Sequence, residues 1–178
     1  MLSIGQLLPE FKLTAVYSAE LNSAFREIDQ SAFAGQWKII FFWPKDFTFV
    51  CPTEIVGFGE LHTEFQNRNT QLLGASTDSD FVHLAWRQYH PELKNSPFPW
   101  LADIKKELAE KLGILDHESG VANRATFIVD PNNIIRHVSV NDGKVGRNPQ
   151  EILRILDALQ TDELCPCNWK QGECTITA

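Results

Sequence analysis

One cysteine stands in the middle of "FFWPKDFTFVCPTEIVGF" (41–58), after an apolar run and directly before Pro52. An unpaired cysteine is either a small buried hydrophobe or a nucleophile, and its surroundings decide which. Proline suits the first turn of a helix, so Pro52 marks a helix start and puts Cys51 at the N-cap. Unpaired backbone N–H groups and the positive end of the helix dipole at such a position favour a thiolate and can hold a negative substrate oxygen. The thiolate is the attacking species. Thr48, three residues earlier, offers a hydroxyl that both donates and accepts hydrogen bonds, and Pro44 and Glu54 flank the pair. On these residues alone the packing reading stays open, because "FTFV" beside Cys51 is apolar.

The other cysteines, Cys165, Cys167 and Cys174, all fall in the closing stretch "TDELCPCNWKQGECTITA". A disulfide-stapled secreted domain spreads its cysteines through the fold, so this distribution points to thiol chemistry in a reducing compartment. Three readings compete for Cys167 and Cys174: thiols that relay a disulfide to a reductant, metal ligands together with Cys165, or incidental residues of a tolerant terminus. Structural zinc uses paired C-x₂₋₄-C spacings and four ligands, which a Cys-x-Cys with one distant cysteine matches poorly.

The elements that must position Cys51 follow from periodicity. "WKIIFFW" (37–43) is continuously apolar and predicts a strand covered on both faces. After it, Ile55, Phe58, Leu61 and Phe65 form one helical stripe. "TQLLGAS" (70–76) predicts a second strand, followed by a helix with Phe81, Leu84, Ala85 and Tyr89 on its apolar face. "SPFPWLAD" (96–103) predicts a short strand before a helix carrying Ile104, Leu108 and Leu112. "ATFIVD" and "IIRHVSV" flank the turn signal "PNN" and predict a hairpin. Asn148, Pro149 and Glu151 open a last helix with Ile152, Ile155, Leu156 and Leu159 inward, ending near Gln160. This order gives an α/β fold of thioredoxin-like type with an N-terminal extension. One domain (1–160) is followed by an extended C-terminal tail (161–178) that holds its shape only by docking.

Sixteen Lys plus Arg against 23 Asp plus Glu leave a net charge of −7 with no basic cluster, which disfavours nucleic acid and anionic membrane as partners. The longest apolar run is too short to span a bilayer and no leader pattern opens the chain, so the expected location is cytoplasmic.

"FFWPKDFTFVCPTEI" resembles the active-site segment of the typical two-cysteine peroxiredoxins, whose motif is Pro, three residues, Thr or Ser, two residues, then Cys. The resemblance continues through "LGASTDSDFVHLAW", "RATFIVDPNN", "VGRNPQEILRILDALQ" and "CPCNW", and is strongest to the bacterial alkyl hydroperoxide reductase group. It implies a thiol-dependent peroxidase of antioxidant defence with no cofactor and no metal. Cys51 would be the peroxidatic cysteine that attacks a hydroperoxide and becomes a sulfenic acid. Thr48 would orient the peroxide, Pro44 would shield the sulfenic acid, and Arg124 would hold the thiolate and the developing oxyanion. Glu54 and Arg147 would orient Arg124, although Arg147 read without the resemblance is a solvated loop charge. Cys165, four residues before Trp169, matches the resolving cysteine, with Cys167 a possible auxiliary thiol. The family forms this bridge between subunits, which implies a homodimer and a ring-shaped decamer or dodecamer, with an external dithiol or flavoprotein as reductant.

Rival readings are weaker on the residues. A thioredoxin-type oxidoreductase lacks its Cys-x-x-Cys here, and a papain-like hydrolase lacks a telling histidine among positions 62, 83, 90, 117 and 137. The non-enzymatic alternative is an oxidation-dependent holdase chaperone.

Overall fold

A computed structural model describes residues 2–177. Along the chain come β1 (Lys12–Val16), α1 (Leu21–Ala24), β2 (Phe25–Asp29), β3 (Trp37–Phe42), α2 (Cys51–Glu60), α3 (His62–Asn67), β4 (Thr70–Ser76) and α4 (Asp80–Tyr89). They are followed by β5 (Trp100–Ala102), α5 (Glu107–Leu112), β6 (Leu115–Asp116), β7 (Val121–Ala122), β8 (Arg124–Val129), β9 (Ile135–Asn141) and α6 (Pro149–Thr161). Seven strands form one sheet in the order β2-β1-β5-β4-β3-β8-β9, and β6 pairs with β7 apart from it. β3 runs parallel to β4, and β4 to β5; β8 joins β3 antiparallel and closes the predicted hairpin with β9.

The continuous apolar run of β3 needs cover on both faces, and it has it. Ile39, Phe41 and Trp43 pack with Ile55 and Phe58 of α2 and Ile152 and Leu156 of α6. Ile40 and Phe42 point the other way, into a core with Leu108 and Leu112 of α5 and Phe127 of β8. Strand alternation thus divides one sequence run between two cores.

Three sequence expectations change. The stripe Ile55–Phe65 is not one helix: the chain turns at Leu61 (φ −94°, ψ 5°), dividing it into α2 and α3. The buried face of α4 is His83, Leu84, Trp86 and Arg87, while Phe81, Ala85 and Tyr89 lie outside. Partners at a distance in sequence make this possible. His83 meets Asp46 and the Leu101 carbonyl, and Arg87 donates to the carbonyls of Tyr17 and Phe98 and stacks on Trp100. Burial still pushes the Arg87 guanidinium down to about 10. Ile104 is exposed ahead of α5, whose first N–H groups, those of Leu108 and Ala109, donate to the Asp103 carboxylate.

The last helix starts as predicted, with Asn148 accepting from the Gln150 N–H and Pro149 in the first turn. Beyond it the chain folds back on itself. The Ile176 N–H donates to the Leu164 carbonyl, and Trp169 is buried, with Arg154 of α6 donating to its carbonyl. Arg68 also reaches the tail, at Gln171. Among the described residues no helix is long and apolar enough to cross a membrane.

Candidate active site

β3 ends at Phe42 and hands the chain to a loop (43–50) that delivers Cys51 to the start of α2. Val50 is the N-cap and Cys51 the first helical residue, so the N-cap expected at Cys51 lies one residue earlier. The consequence for the sulfur is small, because both positions sit at the positive end of the helix. Cys51 is buried, in the core that holds Ile55 and Phe58. Packing and chemistry are therefore not alternatives here: the thiol is buried and also faces a charge.

That charge is Arg124, the first residue of β8, whose Nη1 lies 3.6 Å from the Cys51 sulfur. Its Nη2 donates to the Gly143 carbonyl at 2.8 Å, and Nη1 also forms an ion pair with Glu54. Glu54 stands one helical turn after Cys51, which directs both side chains to the same face. The second oxygen of its carboxylate accepts from the backbone N–H and Nε of Arg147, each at 2.9 Å, and the first accepts from Arg147 Nη2 at 2.9 Å. Arg147 Nη1 donates to the carbonyls of Phe42 and Ala125, each at 2.9 Å, tying the guanidinium to the ends of two strands. Its carbon lies 5.0 Å from the centroid of Phe41, within cation–π range.

Reading Arg147 as a solvated loop charge is therefore wrong: its side chain is 2% exposed. Burial lowers its pKa and the Glu54 contacts oppose that shift. Two buried guanidiniums against one carboxylate leave one positive charge unmatched beside the sulfur. Among the described residues the Nε of Arg124 has no hydrogen-bond partner although it is buried. Buried donors are nearly always satisfied, which sets this one apart.

The structure brings Cys51, Glu54, Arg124 and Arg147 together in one network. Pro44 and Thr48, both half-buried, lie on the loop before the helix, where the Thr48 hydroxyl donates to the Lys45 carbonyl at 2.9 Å and keeps its lone pairs. Cys165 and Cys167 lie apart from this group. The Cys165 sulfur is 3.5 Å from the Thr161 hydroxyl and 3.8 Å from the Ala158 carbonyl, at the end of α6. Cys167 and Cys174 are exposed.

Matching residues 4–138 against known families returns the AhpC/TSA family. The chain belongs to the AhpC/TSA family. It is 52% identical to the alkyl hydroperoxide reductase C of Mycolicibacterium smegmatis, over 100% of this chain and 95% of that one. The solved structure of Mycobacterium bovis AhpC superposes with a TM-score of 0.87 at 50% identity, covering 96% of this chain and 99% of the other. The reduced 2-Cys peroxiredoxin of Plasmodium vivax gives a TM-score of 0.90 at 35% identity, covering 97% and 91%. This AhpC/TSA chain is thus a peroxiredoxin, and the thioredoxin-like α/β fold expected from its sequence is the one it has.

Sequence reasoning passed over one buried pair that holds the loop before Cys51. Asp46, inside "PKDFT", accepts from Trp43 Nε1 and pairs with His83 Nδ1, both at 2.7 Å, in full burial. His83 Nε2 faces the Leu101 carbonyl at 3.1 Å, so that nitrogen carries a hydrogen and one further proton lies between Nδ1 and Asp46. Burial pushes the Asp46 carboxyl up, and the His83 contact opposes it. The Asp46 N–H also donates to Asp78 at 2.8 Å. The loop that carries Pro44 and Thr48 is therefore pinned at its midpoint. An acidic residue beside the apolar strand β3 was the available signal, but its partner is 37 residues away.

Proposed function

We propose that this peroxiredoxin reduces hydrogen peroxide and organic hydroperoxides with Cys51 as the attacking thiolate. The observation that carries the reading is the Arg124 side chain, which donates to the Cys51 sulfur and holds a buried donor, Nε, with no partner among the described residues. The sulfur attacks the terminal peroxide oxygen, the O–O bond breaks, and the leaving oxygen takes the electron pair and a proton. Cys51 becomes a sulfenic acid, and an alcohol or water departs. Arg124 stabilises the charge that develops on the oxygens, held in place by Glu54, Arg147 and the Gly143 carbonyl. Thr48 uses its free lone pairs to orient the peroxide hydrogen, and Pro44 limits water access.

Cys165 of a second copy then attacks the sulfenic sulfur, releasing water and forming a disulfide. In its own chain Cys165 rests against α6, away from the Cys51 network. The edge strand β9 favours a second copy: it has an unpaired side in the sheet, and Val140 on it is exposed. A groove of about 580 Å³ beside it, between Arg136, Ala158, Leu164 and Ile176, gives the partner further surface. Phe47, Phe49, Phe81 and Tyr89 add exposed aromatic surface around the loop and α4, which supports a larger ring assembled from dimers. An external dithiol or flavoprotein returns the enzyme to its reduced form by thiol–disulfide exchange.

The test is peroxide consumption with candidate reductants supplied in turn, on wild type, Cys51→Ser and Cys165→Ser, beside non-reducing gels. Cys51→Ser is expected to lose all turnover. Cys165→Ser is expected to consume peroxide once per subunit and then stop. Full turnover in either variant would overturn the assignment, and a holdase activity would survive the first substitution.

A further inference from the structure

Arg154 on α6 grips the tail that carries Cys165. Its Nε and Nη2 donate to the two carboxylate oxygens of Glu151, one helical turn back, at 2.7 and 2.8 Å. That fork fixes the guanidinium and leaves Nη1 to donate to the Trp169 carbonyl at 3.0 Å. Trp169 closes a turn, its N–H donating to the Pro166 carbonyl at 3.1 Å, and Cys165 is the residue before that turn. Trp169 is buried, and its indole donates to the Glu173 carbonyl at 3.0 Å. A second tether runs from Arg68 Nη2 to the Gln171 side chain at 2.9 Å.

The same docking stores the Cys165 sulfur. A carbonyl only accepts, so the contact to the Ala158 carbonyl at 3.8 Å holds Cys165 as a thiol, with the Thr161 hydroxyl 3.5 Å away. Ala158 lies one turn after Arg154, which puts both on one side of α6. The Arg154 pKa is raised, chiefly by the Glu151 hydrogen bond, and the charges of Cys167 and Cys165 add to it, so both sulfurs lie within electrostatic reach of the guanidinium. Resolution needs the opposite arrangement: a Cys165 free of the helix and ionised.

We propose that Arg154 is a positioning residue of the peroxidase cycle: its bond to the Trp169 carbonyl holds the tail docked, and release of that bond limits how fast the disulfide forms. This rests on the reading of Cys165 as the resolving cysteine. Once released, the Cys165 thiolate attacks the Cys51 sulfenic sulfur of the second copy, the S–O bond breaks, and the oxygen leaves as water with the proton that Cys165 gave up. A competing step draws on the same sulfenic acid: its sulfur attacks a second hydroperoxide, the O–O bond breaks, and a sulfinic acid forms with release of water or an alcohol. A tail that exchanges between docked and released states resolves in proportion to its released fraction. The tethers therefore set the branch between disulfide and sulfinic acid. Arg154 is partly exposed, and one net hydrogen bond there shifts the docking equilibrium about three- to tenfold.

The full chain is compared as wild type, Arg154→Met, Arg154→Lys and Gln171→Ala, each reduced, freed of reductant and mixed with hydrogen peroxide over a range of ratios. Rapid quench with acid and a maleimide, then non-reducing gels and mass spectrometry, give the rate of Cys51 oxidation, the rate of Cys51–Cys165 disulfide formation and the sulfinic yield. Arg154→Met is expected to oxidise Cys51 at the wild-type rate, to form the disulfide about three- to tenfold faster and to give correspondingly less sulfinic acid. Arg154→Lys, which can still donate to the Trp169 carbonyl, should return toward wild type. Gln171→Ala cuts the other tether without touching α6 and should move in the same direction as Arg154→Met. A disulfide rate unchanged or slowed in Arg154→Met while Cys51 oxidises normally would overturn the inference, and Gln171→Ala decides on the same criterion where the Met variant does not fold. A changed rate of Cys51 oxidation in Arg154→Met would also overturn it, because Arg154 would then act on the peroxide step. If wild type forms no disulfide between Cys51 and Cys165, the reading of Cys165 fails and the inference with it.

Discussion

Replacing Arg147 with Met tests the buried charge network most directly. The substitution removes the Nε and Nη2 bonds to Glu54 and the Nη1 bonds to the Phe42 and Ala125 carbonyls, while the backbone N–H keeps its bond to Glu54. Arg124 still pairs with the carboxylate, so Glu54 is not left alone. Two strand-end carbonyls lose a donor in a site where water does not replace it easily. Breaking one side of a buried ion pair costs about 3–5 kcal/mol, and the surviving Arg124 contact puts the expected loss at the lower end. For a chain of this length each kcal/mol lowers Tm by roughly 2–4 °C, so a fall of about 6–12 °C is expected. Denaturant and thermal unfolding at one fixed protein concentration measure it, because assembly adds to apparent stability. Freed from Arg147, Glu54 can shift and carry Arg124 with it, and a misplacement of about 1 Å at a reacting centre costs on the order of a hundredfold in kcat/KM for peroxide. Arg147→Lys keeps a charge but not the fork, and should fall between the two. A Met variant within about 1 kcal/mol of wild type would refute the clamp.

Further outcomes follow from other buried contacts. A Cβ at Gly74 would lie 2.6 Å from Cζ3 of Trp43 and 3.2 Å from Phe98, so Gly74→Ala should cost about 1–3 kcal/mol by overpacking, and unchanged unfolding would contradict that packing. At Asp46 the amide of Asn can accept from the Trp43 indole and donate to His83 Nδ1; Asp46→Asn should therefore cost about 1 kcal/mol, against about 3 kcal/mol or more for Asp46→Ala, and equal losses would sink the shared-proton reading. His137 on β9 has its pKa lowered by burial, with Glu151 pulling the other way, and its Nε2 has no partner among the described residues. The unfolded chain accepts this proton near pH 6.5 while the folded chain resists it, so stability is full above that pH and declines as pH falls toward the lower folded value. His137→Gln should flatten the decline, and parallel stability curves for the two proteins would exclude the effect.

Much of the site was legible because its chemistry is local. Pro44, Thr48, Cys51 and Pro52 lie in one loop-to-helix segment, and the positive end of a helix acts on whatever residue begins it. The apolar run of β3, the hairpin of β8 and β9 and the Asn148 start of α6 rest on periods and caps that a sequence displays directly. Arg124 and Arg147 entered only through resemblance to a family, since nothing in the spacing of two distant arginines says that they share a carboxylate.

What the sequence determined by itself was the strand that ends at the loop, the helix that begins beside Cys51, and the placement of three thiols in a tail without its own core. Tertiary structure decided which charges those elements bury. The faces of α4, the Asp46–His83 pair and the Arg124–Glu54–Arg147 network each bury a polar or charged group at a position that periodicity leaves outside the core. The reason is that burial of a polar or charged group is set by its partner, and here the partners lie 11 to 93 residues away.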